Sequence, residues 1–142
     1  MDTMIFLREK VSLFAGVSDE NLTVLASASS RRSYNKGQTI LFKGETVDGL
    51  HIVEAGKAGV FVKPPYKPPV QIAELSEGEV FGETSIVEMG TAGAAVKACE
   101  NDTLVLMIPQ EAFRHVLQQD EAFAVRVNTL INARKAVSIT TA

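Results

Sequence analysis

The chain has 142 residues, 46 % hydrophobic and 22 % charged, with a net charge of −3. That length can bury a full core within one domain, and the composition is that of a soluble globular protein. Scattered basic residues under a negative net charge argue against a nucleic-acid surface, and no apolar run nears the ~18 residues of a membrane span. Met1–Lys10 carries Asp2, Arg8 and Glu9 around a short apolar stretch, which does not read as a signal peptide. The single cysteine, Cys99, can form no internal disulfide, so a reducing, cytoplasmic setting is expected. Its neighbours Ala98, Leu104 and Val105 offer no cation to activate a thiol, which predicts a structural side chain.

Residues 3–29 have helical spacing: Ile5, Leu7, Val11 and Phe14, a break at Gly16, then Leu22, Leu25 and Ala26. Ser18 before Asp19 and Glu20 predicts an N-cap followed by an acidic first turn. From Ser33 the pattern changes to short strands: Gln38–Phe42, Leu50–Glu54, Gly59–Lys63, Val70–Leu75, Val80–Phe81, Ala94–Cys99 and Thr103–Pro109. Turn signals separate them at Asn35–Gly37, Lys43–Glu45, Asp48-Gly49, Gly56 and Glu77-Gly78. Many short, evenly spaced strands predict a small antiparallel barrel or jelly roll. Lys63–Pro69 resembles a ligand for a proline-binding module, but its place between two β-type runs favours a stiffened hairpin tip. After Pro109 the helical period returns with Phe113, Val116 and Leu117. It continues with a stripe of Phe123, Val127, Leu130, Ile131 and Val137.

The chemistry concentrates in Phe81–Ala98. Phe-Gly-Glu ends a strand and enters a helical turn, Thr84–Glu88, followed by a segment of small residues, Gly90–Ala95. Backbone amides at a short helix start, flanked by small residues, form an anion-binding arrangement. Nothing comparable suggests catalysis. His51 and His115 are the only histidines, neither has zinc-ligand spacing, and Ser85 has no base to activate it. A non-catalytic binding protein without metal is expected.

Five runs resemble the cyclic-nucleotide-binding domain family, in the family's order. They are Leu13–Ser18, Tyr34–Gln38 with Phe42–Glu45, Asp48–Val53 with Gly56–Val60, Leu75–Glu83, and Phe81–Ala98 as a phosphate-binding cassette. The resemblance implies a mainly β fold with flanking helices. An eight-stranded antiparallel β-roll (33–109) would sit between an N-terminal helical bundle (1–30) and C-terminal helices (110–137) that include a hinge helix. All would belong to a single domain, 1–142. It also implies a ligand site at Phe81, Gly82, Glu83, Thr84, Ser85, Ala92, Gly93 and Ala94. Glu83 matches the carboxylate that binds the ribose 2′-hydroxyl, its local alternative being a cap on its own turn. Gly82, Thr84 and Ser85 match positions whose amides face the phosphate. Gly93 lacks the hydroxyl associated with preference for the guanine cyclic nucleotide.

The family Arg that grips the cyclic phosphate falls on Ala92, and no Arg or Lys occurs between Phe81 and Val96. Losing one partner of a buried charge pair costs ~2–5 kcal/mol, at ~1.4 kcal/mol per tenfold in affinity. Glu88 in the same loop adds a like charge. Arg31 and Arg32 lie before the roll, and Lys97 reads as solvent-facing. The expectation is a ligand-sensing regulatory domain with weakened or altered cyclic AMP or cyclic GMP binding. The alternatives are a genuine cyclic-nucleotide module that holds the phosphate through backbone amides, or the sensor fragment of a transcription regulator. A homodimer through the C-terminal helix, with Arg126 and Arg134 bordering its seam, is expected as strongly as packing of that stripe onto the roll. Neither nucleic acid nor membrane is expected as a partner, and the sequence names no partner protein.

Overall fold

A computed structural model describes the backbone of residues 2–141 and the side chains to Lys135. Helix α1 (Thr3–Lys10) starts at Asp2, whose carboxylate accepts from the Met4 and Ile5 amides. A short 3-10 turn (Ser12–Phe14) leads to α2 (Asp19–Ala28), capped as expected by Ser18, whose hydroxyl accepts from the Asn21 amide at 3.1 Å. In α1 the buried face is Phe6 and Leu7, while Ile5 is exposed. The apolar spacing alone had placed Ile5 inside.

Eight antiparallel strands form two four-stranded sheets. One has the order β1-β8-β3-β6, from Ser30–Tyr34, Thr103–Pro109, Gly49–Ala55 and Val80–Phe81. The other has the order β2-β7-β4-β5, from Thr39–Leu41, Ala95–Ala98, Ala58–Val62 and Val70–Leu75. This is the anticipated eight-stranded roll, with one adjustment. Its first strand begins at Ser30, so Arg31 and Arg32 belong to the roll and not to the approach. Arg31 is held across the sheet by Glu54, with Nη2–Oε1 at 2.8 Å, and that hydrogen bond raises its already high pKa. The proline-rich segment joins β4 to β5 as a hairpin tip, with Tyr66 fully exposed at φ 63°.

The remaining helices are α3 (Glu83–Val87), α4 (Gln110–Gln119) and α5 (Glu121–Thr141). Helices and sheets share one apolar core, and Phe14, Phe113 and Phe123 lock the helical part together. The Phe123 ring lies 5.4 Å from Phe14, tilted, and 5.8 Å from Phe113, edge-on. Such pairs add ~0.5–1.5 kcal/mol beyond their buried area. Phe123, Val127 and Ile131 are buried, so the apolar stripe of α5 packs back on this chain, against the 3-10 turn, α3 and α4. Leu130 is half-buried, and the side chain of Val137 lies outside the described residues. Arg126 donates from Nε to the Leu13 carbonyl at 3.0 Å, and Arg134 turns inward, so neither borders an outer helix seam as the sequence suggested. Among the described residues, no helix is long and apolar enough to cross a membrane.

Candidate functional site

The segment after β6 is built on glycine at the point where the chain turns. Gly82 has φ 91°, and a Cβ there would stand 3.0 Å from Val47 Cγ1 and 3.2 Å from the Gly49 carbonyl oxygen. Only a residue without a side chain adopts that turn cheaply and lets α3 begin against β3. The next residue, Glu83, is therefore driven inward and is 1 % exposed. Arg114 fastens the helix from the other side, donating from Nη2 to the Ile86 carbonyl at 2.5 Å.

The small-residue segment returns along the turn before β3. Ala92 donates its amide to the Glu45 carbonyl at 3.0 Å and accepts from the Gly44 amide at 2.7 Å. Ala92 is 5 % exposed and forms part of the wall of a cavity of about 460 Å³. That volume is of the size that small organic ligands occupy. Gly82, Thr84, Ser85, Gly93 and Ala94 border the same cavity. Of the eight residues expected at the site, six thus line one space. Phe81 instead packs in the core, stacked 4.9 Å from His51, and Glu83 lies behind the wall. The far wall is apolar, formed by Leu41, Val60, Val62, Ile72, Leu75 and Val96. Ser85 donates its hydroxyl to the Thr91 carbonyl at 3.1 Å, closing the loop on itself.

The charges of this site come from α5, a source the local sequence did not reveal. Arg134 donates from Nη1 to Glu83 Oε1 and from Nη2 to the Val80 carbonyl at 2.6 Å. Glu83 therefore engages the C-terminal helix and does not cap its own turn. Its second oxygen, Oε2, is buried and finds no partner among the described residues. Lys135 pairs with Glu88, which neutralises the like charge that the sequence placed beside an incoming phosphate. Among the described residues, Arg134 and Lys135 are the charged side chains on the cavity wall. Lys97 lies 5.4 Å over the Phe61 ring, and it too is absent from that wall.

His51 and Cys99 are not on the wall of this cavity. His51 bonds the Gly49 carbonyl through Nδ1 at 3.0 Å, and burial lowers its pKa below the ordinary histidine value. Cys99 is half-buried, and burial, helped by Glu74 and Glu100, raises its thiol pKa. Among the described residues, no group of His, Cys, Asp or Glu could hold a metal.

Comparison with known proteins gives the family. The sequence profile of the cyclic nucleotide-binding domain matches residues 31–120. The chain belongs to that family. It is 29 % identical over 99 residues to the cyclic AMP receptor protein of Thermus thermophilus, covering 70 % of this chain and 46 % of that protein. It is 31 % identical over 113 residues to human cGMP-dependent protein kinase 2, covering 79 % of this chain and 15 % of the kinase. The chain thus spans less than half the length of these relatives. The Thermus thermophilus catabolite activator protein superposes with a TM-score of 0.77 at 27 % identity, over 91 % of this chain and 60 % of its own. The regulatory domain of Toxoplasma gondii PKA, solved with cAMP, shares the fold with a TM-score of 0.79 at 22 % identity, over 94 % and 48 %.

Proposed function

We propose that this member of the cyclic nucleotide-binding family is a non-catalytic, ligand-sensing module that binds cyclic AMP and cyclic GMP weakly. The observation that carries the reading is Ala92. It lines the cavity where relatives of this class are expected to present an arginine, and the strand-borne part of the wall has no basic residue. A phosphate entering there would meet backbone amides of Gly82, Thr84 and Ser85 and the Thr84 hydroxyl but no cation from its own loop. Losing such a partner costs ~2–5 kcal/mol, which puts either nucleotide at tens of micromolar or weaker. Calorimetric titration of the purified domain with both nucleotides tests this. Dissociation constants of tens of micromolar to millimolar support it. A sub-micromolar value for either nucleotide favours a genuine cyclic-nucleotide module.

A second reading treats the domain as the sensor part of a transcription regulator that dimerises through α5. It draws on the likeness to the Thermus thermophilus receptor and on α5 itself, where Val125 is 59 % exposed and Leu130 half-buried.

A further inference from the structure

We propose that the anion site of this cavity has moved from the cassette to α5, so that Arg134 and Lys135 receive the acidic head of an amphipathic ligand. The inference rests on reading the cavity as the ligand site. It adds which residues hold the ligand and what class of molecule fits.

Three observations converge. First, the cavity wall has two chemically distinct parts. Leu41, Val60, Val62, Ile72, Leu75 and Val96 give it an apolar, strand-borne part, and α5 contributes Arg134 and Lys135. Second, both charged side chains on that wall are basic, and the carboxylates that pair with them, Glu83 and Glu88, are not on it. An entering molecule therefore meets positive groups, and a buried anion demands such partners. Third, Arg134 is pre-positioned. One N–H goes to Glu83 and one to the Val80 carbonyl, which leaves three of the five guanidinium donors for a ligand. Its side chain is 34 % exposed and lines the cavity.

The ligand class follows: an apolar ring body with one acidic head, phosphate or carboxylate. Such a ligand bridges the roll and α5.

The test compares wild type, Lys135→Gln, and Arg134→Gln/Lys135→Gln, each checked for native circular dichroism. Probes are cyclic AMP, adenosine as its counterpart without the phosphate, and anilinonaphthalene sulfonate as an unrelated aromatic anion. The double variant should lose at least about tenfold more affinity for cyclic AMP and for the sulfonate than it loses for adenosine, whose loss reads the loosening of α5 alone. Lys135→Gln leaves the Glu83 pair intact and should lose about threefold, which decides the matter if the double variant fails to fold. Folded variants that bind both anions as well as wild type, or more tightly, overturn the inference. If cyclic AMP binds neither wild type nor Ala92→Arg while the sulfonate still depends on Arg134 and Lys135, the nucleotide reading falls and the α5 anion site stands. If no probe binds any form, both fall.

Discussion

Removing the guanidinium from Arg134 should loosen α5 and destabilise the whole domain, because it strands a buried carboxylate. Arg134→Met keeps most of the aliphatic stem and deletes both hydrogen bonds, to Glu83 and to the Val80 carbonyl. A surface ion pair contributes ~0–1 kcal/mol, whereas breaking a fully buried pair costs ~3–5 kcal/mol. Glu83 is 1 % exposed and Arg134 34 %, so the pair lies between these limits, at about 2 kcal/mol. For a domain of this length that corresponds to a fall of roughly 6–8 °C in Tm. Thermal and urea unfolding monitored by circular dichroism measures it. Adding Glu83→Gln removes the stranded charge and should restore at least about half of the loss, the signature of a coupled pair. An Arg134→Met protein within about 0.5 kcal/mol of wild type would refute the claim that this contact docks the helix.

Three further outcomes are expected. Gly82→Ala should cost ~1–3 kcal/mol and displace α3, since the new methyl meets Val47 and the Gly49 carbonyl at φ 91°; urea unfolding of the variant reads the loss. His51 has its folded pKa lowered by burial, so the unfolded chain takes up its proton first as pH falls. Its contribution is full above pH ~6.5 and is lost as pH drops through that value toward the lower folded pKa; His51→Gln should flatten this slope in unfolding measured from pH 7.5 to about 5. Sedimentation of wild type and Leu130→Asp across a concentration series decides the second reading: a wild-type dimer of modest affinity that the variant loses supports it, and a wild type monomeric at high micromolar concentration rules it out.

How much the sequence disclosed depended on whether a feature was local. Strands Val70–Leu75, Val80–Phe81 and Thr103–Pro109 were legible to the residue, because turn residues bound them and most of their side chains are apolar or β-branched. Strand β1 was missed, since Ser-Arg-Arg-Ser-Tyr is polar and mostly exposed and becomes a strand only by pairing with β8. The cassette could be read because its glycine and small residues are contiguous. Its charges could not, because Glu83 and Arg134 are 51 residues apart and only the return of α5 over the roll joins them. The period of α5 gave a signal for the buried stripe but none for which off-stripe arginine would turn inward.

The most direct test of the account is the cyclic AMP affinity of Ala92→Arg against wild type, measured by calorimetry under one set of conditions. Ala92 lies on the cavity wall with its backbone pinned to the Gly44 and Glu45 turn, so an arginine there starts from a fixed point beside the space a phosphate would enter. The account predicts binding at least about tenfold tighter than wild type, roughly 1.4 kcal/mol. Equal affinity in a folded Ala92→Arg protein would contradict it, because the missing cation would then not be what weakens the site.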